Sequence, residues 1–282
     1  MSTNTLKTYI LLAGLGGLLV LAGSFFGRGG AIIGLLIGLV FVGGSYWFSD
    51  KLAIKASRAR PVSEQEAPEL YRIVRDLTMR ANMPMPRLFV TPSPQPNAFA
   101  TGRNEDQAAV AVTQGIMSTL SEDELRGVLA HELAHVKNND ILIGSVAAAV
   151  AMGITFLARM VMWGAMFGGG RDDEGGGNPL GLLAMAFLAP MAAGLLQMAL
   201  SRSREFEADR SGAGLMGGGE SLARALEKLE ISAKKIPMNV NPAQASMYIV
   251  NPLSGRRVNF ARLFSTHPST QERIARLRDW RP

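Results

Sequence analysis

The chain has 282 residues, 29 Lys+Arg against 23 Asp+Glu for a net charge of +6, and 48% hydrophobic residues at a mean hydropathy of +0.15. That balance is apolar for a soluble protein and polar for a chain buried wholly in lipid, so membrane segments plus a water-facing body are expected over one or two domains. The absence of cysteine excludes a disulfide framework, a cysteine-ligated metal and a thiol nucleophile, and basic residues flanking apolar runs point to a membrane surface rather than to nucleic acid.

Thr8 to Phe26 and Ala31 to Phe48 are uncharged runs separated only by Gly27-Arg28-Gly29-Gly30. Each is long enough, as a helix, to cross roughly 30 Å of hydrocarbon, so residues 1–50 read as a transmembrane hairpin. Lys51, Lys55, Arg58 and Arg60 follow at once, which places this end on the cytoplasmic side by the positive-inside rule. Ser63-x-x-Glu66 reads as a capping box ahead of a helix whose apolar face is Leu70, Ile73, Val74 and Leu77, ending near Ala81. Arg87 to Thr91, Asn97 to Gly102 and Ala108 to Thr113 read as strands bounded by proline-rich and polar turns.

Ser121-Glu122-Asp123-Glu124 is a second capping box, and Leu125, Val128, Leu129 and Leu133 continue it at helical spacing. On that helix stands His131-Glu132-Leu133-Ala134-His135, in a chain with only 3 His. Histidines four apart share one helix face, so both imidazoles can occupy corners of a Zn²⁺ tetrahedron, with Glu132 beside the metal as general base toward an activated water. The alternative is a pair of surface histidines on a soluble helix.

Ile141 to Phe167 and Leu180 to Leu200 are two further apolar runs joined by a glycine-rich acidic loop, so residues 141–200 read as a second transmembrane or membrane-embedded hairpin. An even number of crossings returns residues 201–282 to the side of residues 51–140, and these two parts together make the catalytic body.

A catalytic zinc site needs a third protein ligand. A histidine six residues past His135 is ruled out because position 141 is Ile, and His267 is the only histidine left. The alternative is a carboxylate from a later helix. Glu205 and Asp209 stand one turn apart, so that Glu205 can bind zinc while Asp209 orients a liganding histidine. Toward the C-terminus a helix is expected over Thr270 to Trp280, with Ser269 and Glu272 as its capping box. His267, just before it, is a candidate hydrogen-bond donor to a developing oxyanion.

The combination of the N-terminal hairpin, Asn97-Ala-Phe-Ala-Thr-Gly102, His131-Glu-Leu-Ala-His135 with Asn138 and Asp140, the second hairpin and Glu205-x-x-x-Asp209 resembles the membrane-bound zinc peptidases of the HtpX heat-shock protease type, relatives of the CAAX prenyl proteases. The resemblance implies an α+β, mostly α, zincin-like fold with four transmembrane helices in two hairpins. It implies one Zn²⁺ held by His131, His135 and Glu205, catalysis by Glu132, Asp209 and Asn138 in supporting positions, and Asn97, Ala98, Phe99 and Ala100 as a substrate-binding edge strand. The implied activity is endoproteolysis of misfolded or damaged membrane proteins in a bacterial inner membrane, with the catalytic body facing the cytoplasm. A prenyl-protein endopeptidase and a non-catalytic zinc-containing membrane scaffold are the rival readings.

Overall fold

A computed structural model describes residues 3–24, 27–146, 202–236, 248–250 and 268–282. The fold is mostly helical with one small sheet. Helices α1 (Thr3–Ser24) and α2 (Gly27–Ala56) pack against each other as the expected hairpin. α2 already starts at Gly27, ahead of the expected start of the apolar run at Ala31, and Gly27 adopts a positive φ of 79°. At 30 residues, α2 also runs on past Phe48 and through Lys51 and Lys55 into the body of the protein. Among the described residues no helix is long and apolar enough to cross a membrane. Some side chains of α1 and α2 lie outside the description, and so does most of the expected second hairpin, residues 147–200. The four expected crossings are therefore not established by the fold.

Four strands, β1 (Arg60–Pro61), β2 (Arg87–Thr91), β3 (Ala98–Thr101) and β4 (Ala109–Thr113), form a sheet in the order β1-β2-β4-β3. β2 and β4 are parallel; the two outer pairings are antiparallel. The three longer strands match the expectation, whereas β1 is a two-residue strand with no sequence signature of its own. Leu88, Val90, Ala98, Val110 and Val112 face the main core, and Phe89, Phe99, Ala109 and Ala111 pack on the other side with Ala53 of α2 and Tyr248. Burial of both faces explains why these strands read as continuous apolar runs rather than alternating ones.

Helix α3 (Pro68–Ala81) buries Leu70, Ile73, Val74 and Leu77 as its periodicity predicts. Its start differs from the expectation. Ser63 and Glu66 do exchange capping-box bonds, but they close a turn ahead of the helix, and α3 itself opens at Pro68, whose missing N–H is no loss in a first turn. A short helix, α4 (Gln114–Thr119), separates β4 from α5 (Glu122–Lys137). The capping box of α5 forms as read: Ser121 Oγ accepts from Glu124 N–H while the Glu124 carboxylate accepts from Ser121 N–H at 2.8 Å. Helices α6 (Arg202–Met216), α7 (Glu220–Lys235) and α8 (Thr270–Arg278) complete the body, the last capped by Ser269 as expected.

α5 is the central element, touched by β3, α3, α6 and α7. Two glycines allow the close approach. A Cβ on Gly127 would lie 2.8 Å from Leu222 N of α7, and one on Gly212 of α6 would lie 3.0 Å from His131 N. Both contacts are with backbone, which cannot swing aside, so α6 can lie against the histidine turn of α5 only because residue 212 has no side chain.

Candidate metal centre

Val128, Leu129, Leu133 and Val136 anchor α5 in the core, and the helix brings His131, Glu132 and His135 together inside the body. The Nε2 atoms of His131 and His135 are 3.1 Å apart. Glu205 reaches them from α6, with one carboxylate oxygen 3.9 Å from His131 Nε2 and the other 3.5 Å from His135 Nε2. The three ligand atoms lie within 4.8 Å of one another. Ligand atoms of a tetrahedral zinc with ~2.05 Å bonds sit about 3.3 Å apart, so the observed spacings bracket the requirement.

The far nitrogens explain why the near ones point inward. His131 Nδ1 is 2.9 Å from Asp209 Oδ1, and His135 Nδ1 is 3.0 Å from Asp140 Oδ2. Carboxylates only accept, so each Nδ1 carries the hydrogen. In the neutral tautomers both Nε2 lone pairs then face each other and the Glu205 carboxylate. Two lone pairs and an anion at this separation repel unless a cation, either a metal ion or a proton on His135, lies between them. The donor set, two imidazoles and one carboxylate, fits a divalent metal ion.

The electrostatics of the two histidines differ. Burial and then the nearby Arg273 charge push His131 down to about 4, against the pull of Asp209, so it is neutral at physiological pH. Burial also acts to lower His135, but the Asp140 hydrogen bond and the Glu205 and Asp140 charges outweigh it and raise it to about 9. Burial lifts Glu132 to about 7, with His135 opposing and Glu205 reinforcing the rise. The Ala100 N–H donates to the Glu132 carboxylate. Burial would raise Asp209, yet the Arg273 charge holds it at about 2.

Of the expected site residues, His131, Glu132, His135, Glu205 and Asp209 converge. Asn138 is the C-cap of α5, its N–H bonded to Ala134 O, and the position behind His135 belongs to Asp140. β3 is an edge of the sheet, as the substrate-strand reading needs, but the edge is partly taken. Asn97 O accepts from Thr113 N of β4, so by antiparallel alternation Ala98 and Ala100 direct their backbone groups away from β4. Ala98 O accepts from Ile249 N, and Asn97 Nδ2 donates to Val250 O at 2.9 Å. Phe99 turns its ring to Tyr248 on the far face of the sheet. His267 lies outside the described residues.

One residue of the centre went unread in the sequence: Arg273 of α8, 2% exposed. Its Nε and Nη2 donate to the two oxygens of Asp209 at 2.8 and 2.7 Å, and its Nη1 donates to Ile249 O at 3.0 Å. The available signal was an arginine beside Ile274, on the face of a short helix that Leu277 turns toward the core.

A histidine pair on a buried helix, a glutamate between them in sequence, a carboxylate from a second helix and a sheet edge above them define a metallopeptidase. Comparison with known proteins gives the family. Residues 64–281 match the family model "Peptidase family M48", and the chain belongs to that family. It is 55% identical over 277 residues to the "Protease HtpX homolog" of Pelotomaculum thermopropionicum, covering 97% of this chain and 98% of that one. Identity to the protein of the same name from Syntrophobacter fumaroxidans is 53% over 277 residues, covering 96% and 98%. Among solved structures, the crystal structure of S. mikatae Ste24p matches with a TM-score of 0.52 at 20% identity, covering 98% of this chain and 65% of that one. A likeness at that identity speaks for the fold alone.

Proposed function

We propose that this metallopeptidase is a zinc endopeptidase anchored in a bacterial inner membrane, with His131, His135 and Glu205 as metal ligands and a catalytic body facing the cytoplasm. Its substrates are misfolded or damaged membrane proteins. The observation that carries the site assignment is the convergence of His131 Nε2, His135 Nε2 and the Glu205 carboxylate, with both Nδ1 atoms committed to Asp209 and Asp140. Zinc held there by His131, His135 and Glu205 would supply Lewis acidity toward the scissile carbonyl and toward water.

The protein residues do the rest. Asp209 and Asp140 hold the imidazoles in the tautomer that presents Nε2. Glu132, lifted to about 7 and steadied by the Ala100 N–H, can take a proton from the attacking water and give it to the leaving amine without a large energetic mismatch. The same bond places Glu132 against the edge of β3 and takes up the Ala100 N–H, so an extended substrate at this edge would pair through the Ala100 carbonyl. At Asn97 and Ala98 the chain's own residues 249 and 250 already make such bonds.

The membrane reading draws its support from α1 and α2. Ile32, Ile33, Leu36, Leu39 and Val40 are all more than half exposed. A hairpin that turns such residues outward needs an apolar surrounding, and the basic residues after Phe48 set its orientation.

The test pairs wild type with Glu132→Gln, both purified in detergent and assayed for zinc and for cleavage of unfolded and lipidated model proteins. One zinc in each, with turnover at least 10²-fold lower in the variant, is the expected outcome. Retained cleavage in Glu132→Gln would end the mechanism, and a requirement for lipidated tails would move the substrate class to prenylated proteins.

A further inference from the structure

We propose that Arg273 is a positioning residue for the metal centre, acting through Asp209 to hold His131 in its metal-presenting orientation. This rests on the zinc-site reading above. A buried arginine is costly unless its charge and its N–H groups are matched, so its partners show what the fold spends it on. Arg273 is among the largest fully buried side chains among the described residues. Its Nε and Nη2 fork onto both oxygens of Asp209. Asp209 Oδ1, the oxygen that takes the shorter of these bonds, is the one 2.9 Å from His131 Nδ1. One oxygen is therefore shared between the guanidinium and the imidazole, and the carboxylate plane is set by the fork rather than by the histidine. The remaining Nη1 is tied to Ile249 O and lies 3.6 Å from Glu205 Oε2. α8 thus reaches the site through one side chain, which fixes a carboxylate on α6 that in turn fixes a ligand on α5; Nη2 also lies 3.4 Å from each ring nitrogen of that ligand, farther than the 2.7 Å to Asp209 Oδ1.

The geometry is specific to a guanidinium. Lysine keeps the charge but offers a point donor, which can bond one Asp209 oxygen and leaves the carboxylate free to rotate. Removing a partner behind a liganding histidine weakens metal binding by about 10–100-fold. Arg273 is not proposed to touch substrate.

The experiment measures zinc affinity by competition with a chromophoric chelator in wild type, Arg273→Lys, Asp209→Asn and the double variant. Thermal melts, and the visible spectrum after Co²⁺ loading, are recorded on each. The expected result is a roughly 10–100-fold loss of zinc affinity in Arg273→Lys, the same change of the Co²⁺ spectrum in Arg273→Lys and Asp209→Asn, and a double variant within about threefold of Asp209→Asn. A melt that drops while zinc affinity and spectrum stay at wild-type values makes Arg273 structural and overturns the proposal. So does a double variant that loses the product of the two single effects. Arg273→Gln is the second variant should the lysine form not fold; if neither folds with zinc in excess, the positioning role is overturned. Because zinc binding is read without turnover, failure of the peptidase mechanism at Glu132 would leave these affinities unchanged.

Discussion

The metal centre and the N-terminal hairpin are built from helices in opposite ways. In the centre, polar groups are buried and matched: Asp209 with Arg273 and His131, Asp140 with His135, Glu132 with the Ala100 N–H. In the hairpin, apolar side chains face outward, with Val40 at 76% exposure and Leu39 at 63%. Each would be unstable in the other's surroundings. Buried charges survive only with partners supplied by several helices, whereas an apolar outer face survives only if its surroundings are apolar too. The catalytic body is thus stabilised from within, and the hairpin depends on what lies around it.

Substitutions can break that contrast, beginning with the largest effect. Glu205→Ala removes the proposed ligand supplied by α6, and zinc affinity should fall by more than about 100-fold; a full zinc content by metal analysis would assign the third ligand elsewhere. Val40→Arg tests the other side. In a membrane it should cost about 2.5–3.5 kcal/mol at mid-helix and reduce membrane-fraction yield, yet leave zinc affinity untouched; unchanged membrane yield would sink the lipid-embedded hairpin. Gly212→Ala should destabilise by about 1–3 kcal/mol, because its Cβ meets the His131 backbone, and should lower zinc affinity with it. A melt equal to wild type would mean that α6 can shift without cost.

The smallest signal is a proton count. With His135 at about 9 and Glu132 at about 7, at pH 8 His135 is mostly protonated and Glu132 mostly ionised. Metal ligation requires a neutral imidazole, so zinc uptake at pH 8 should release about one proton. Release should fall toward none as pH rises through the His135 value and the metal-free protein gives up that proton unaided. A pH electrode in weak buffer reads it directly, and no release at pH 8 would mean His135 is already neutral.

The readings that held are those with a local physical signature. His131 and His135 share a face because four residues make about one helical turn, and Ser121 with Glu124 caps α5 through bonds three residues apart. Glu205 and Asp209 follow the same spacing on α6. The readings that shifted depend on partners far along the chain. Asn138 and Asp140 are equally polar and equally near His135 in sequence; only the end of α5 decides that the first caps the helix and the second reaches the ring. The β3 edge is legible as a strand, but its partial occupation by residues 249 and 250 is not, since those bonds join positions about 150 apart.

The sequence by itself determined the chemistry: a helix-borne histidine pair with its glutamate, a carboxylate pair able to complete the site, and apolar runs that call for a non-aqueous surrounding. Periodicity and capping are short-range, so the residues that obey them are readable one stretch at a time. Only the tertiary structure decided the sheet order, the approach of α6 allowed by Gly212, and the capture of Asp209 by Arg273 of α8. Those are contacts between distant segments, chosen by which buried polar group finds a partner when the helices close on one another.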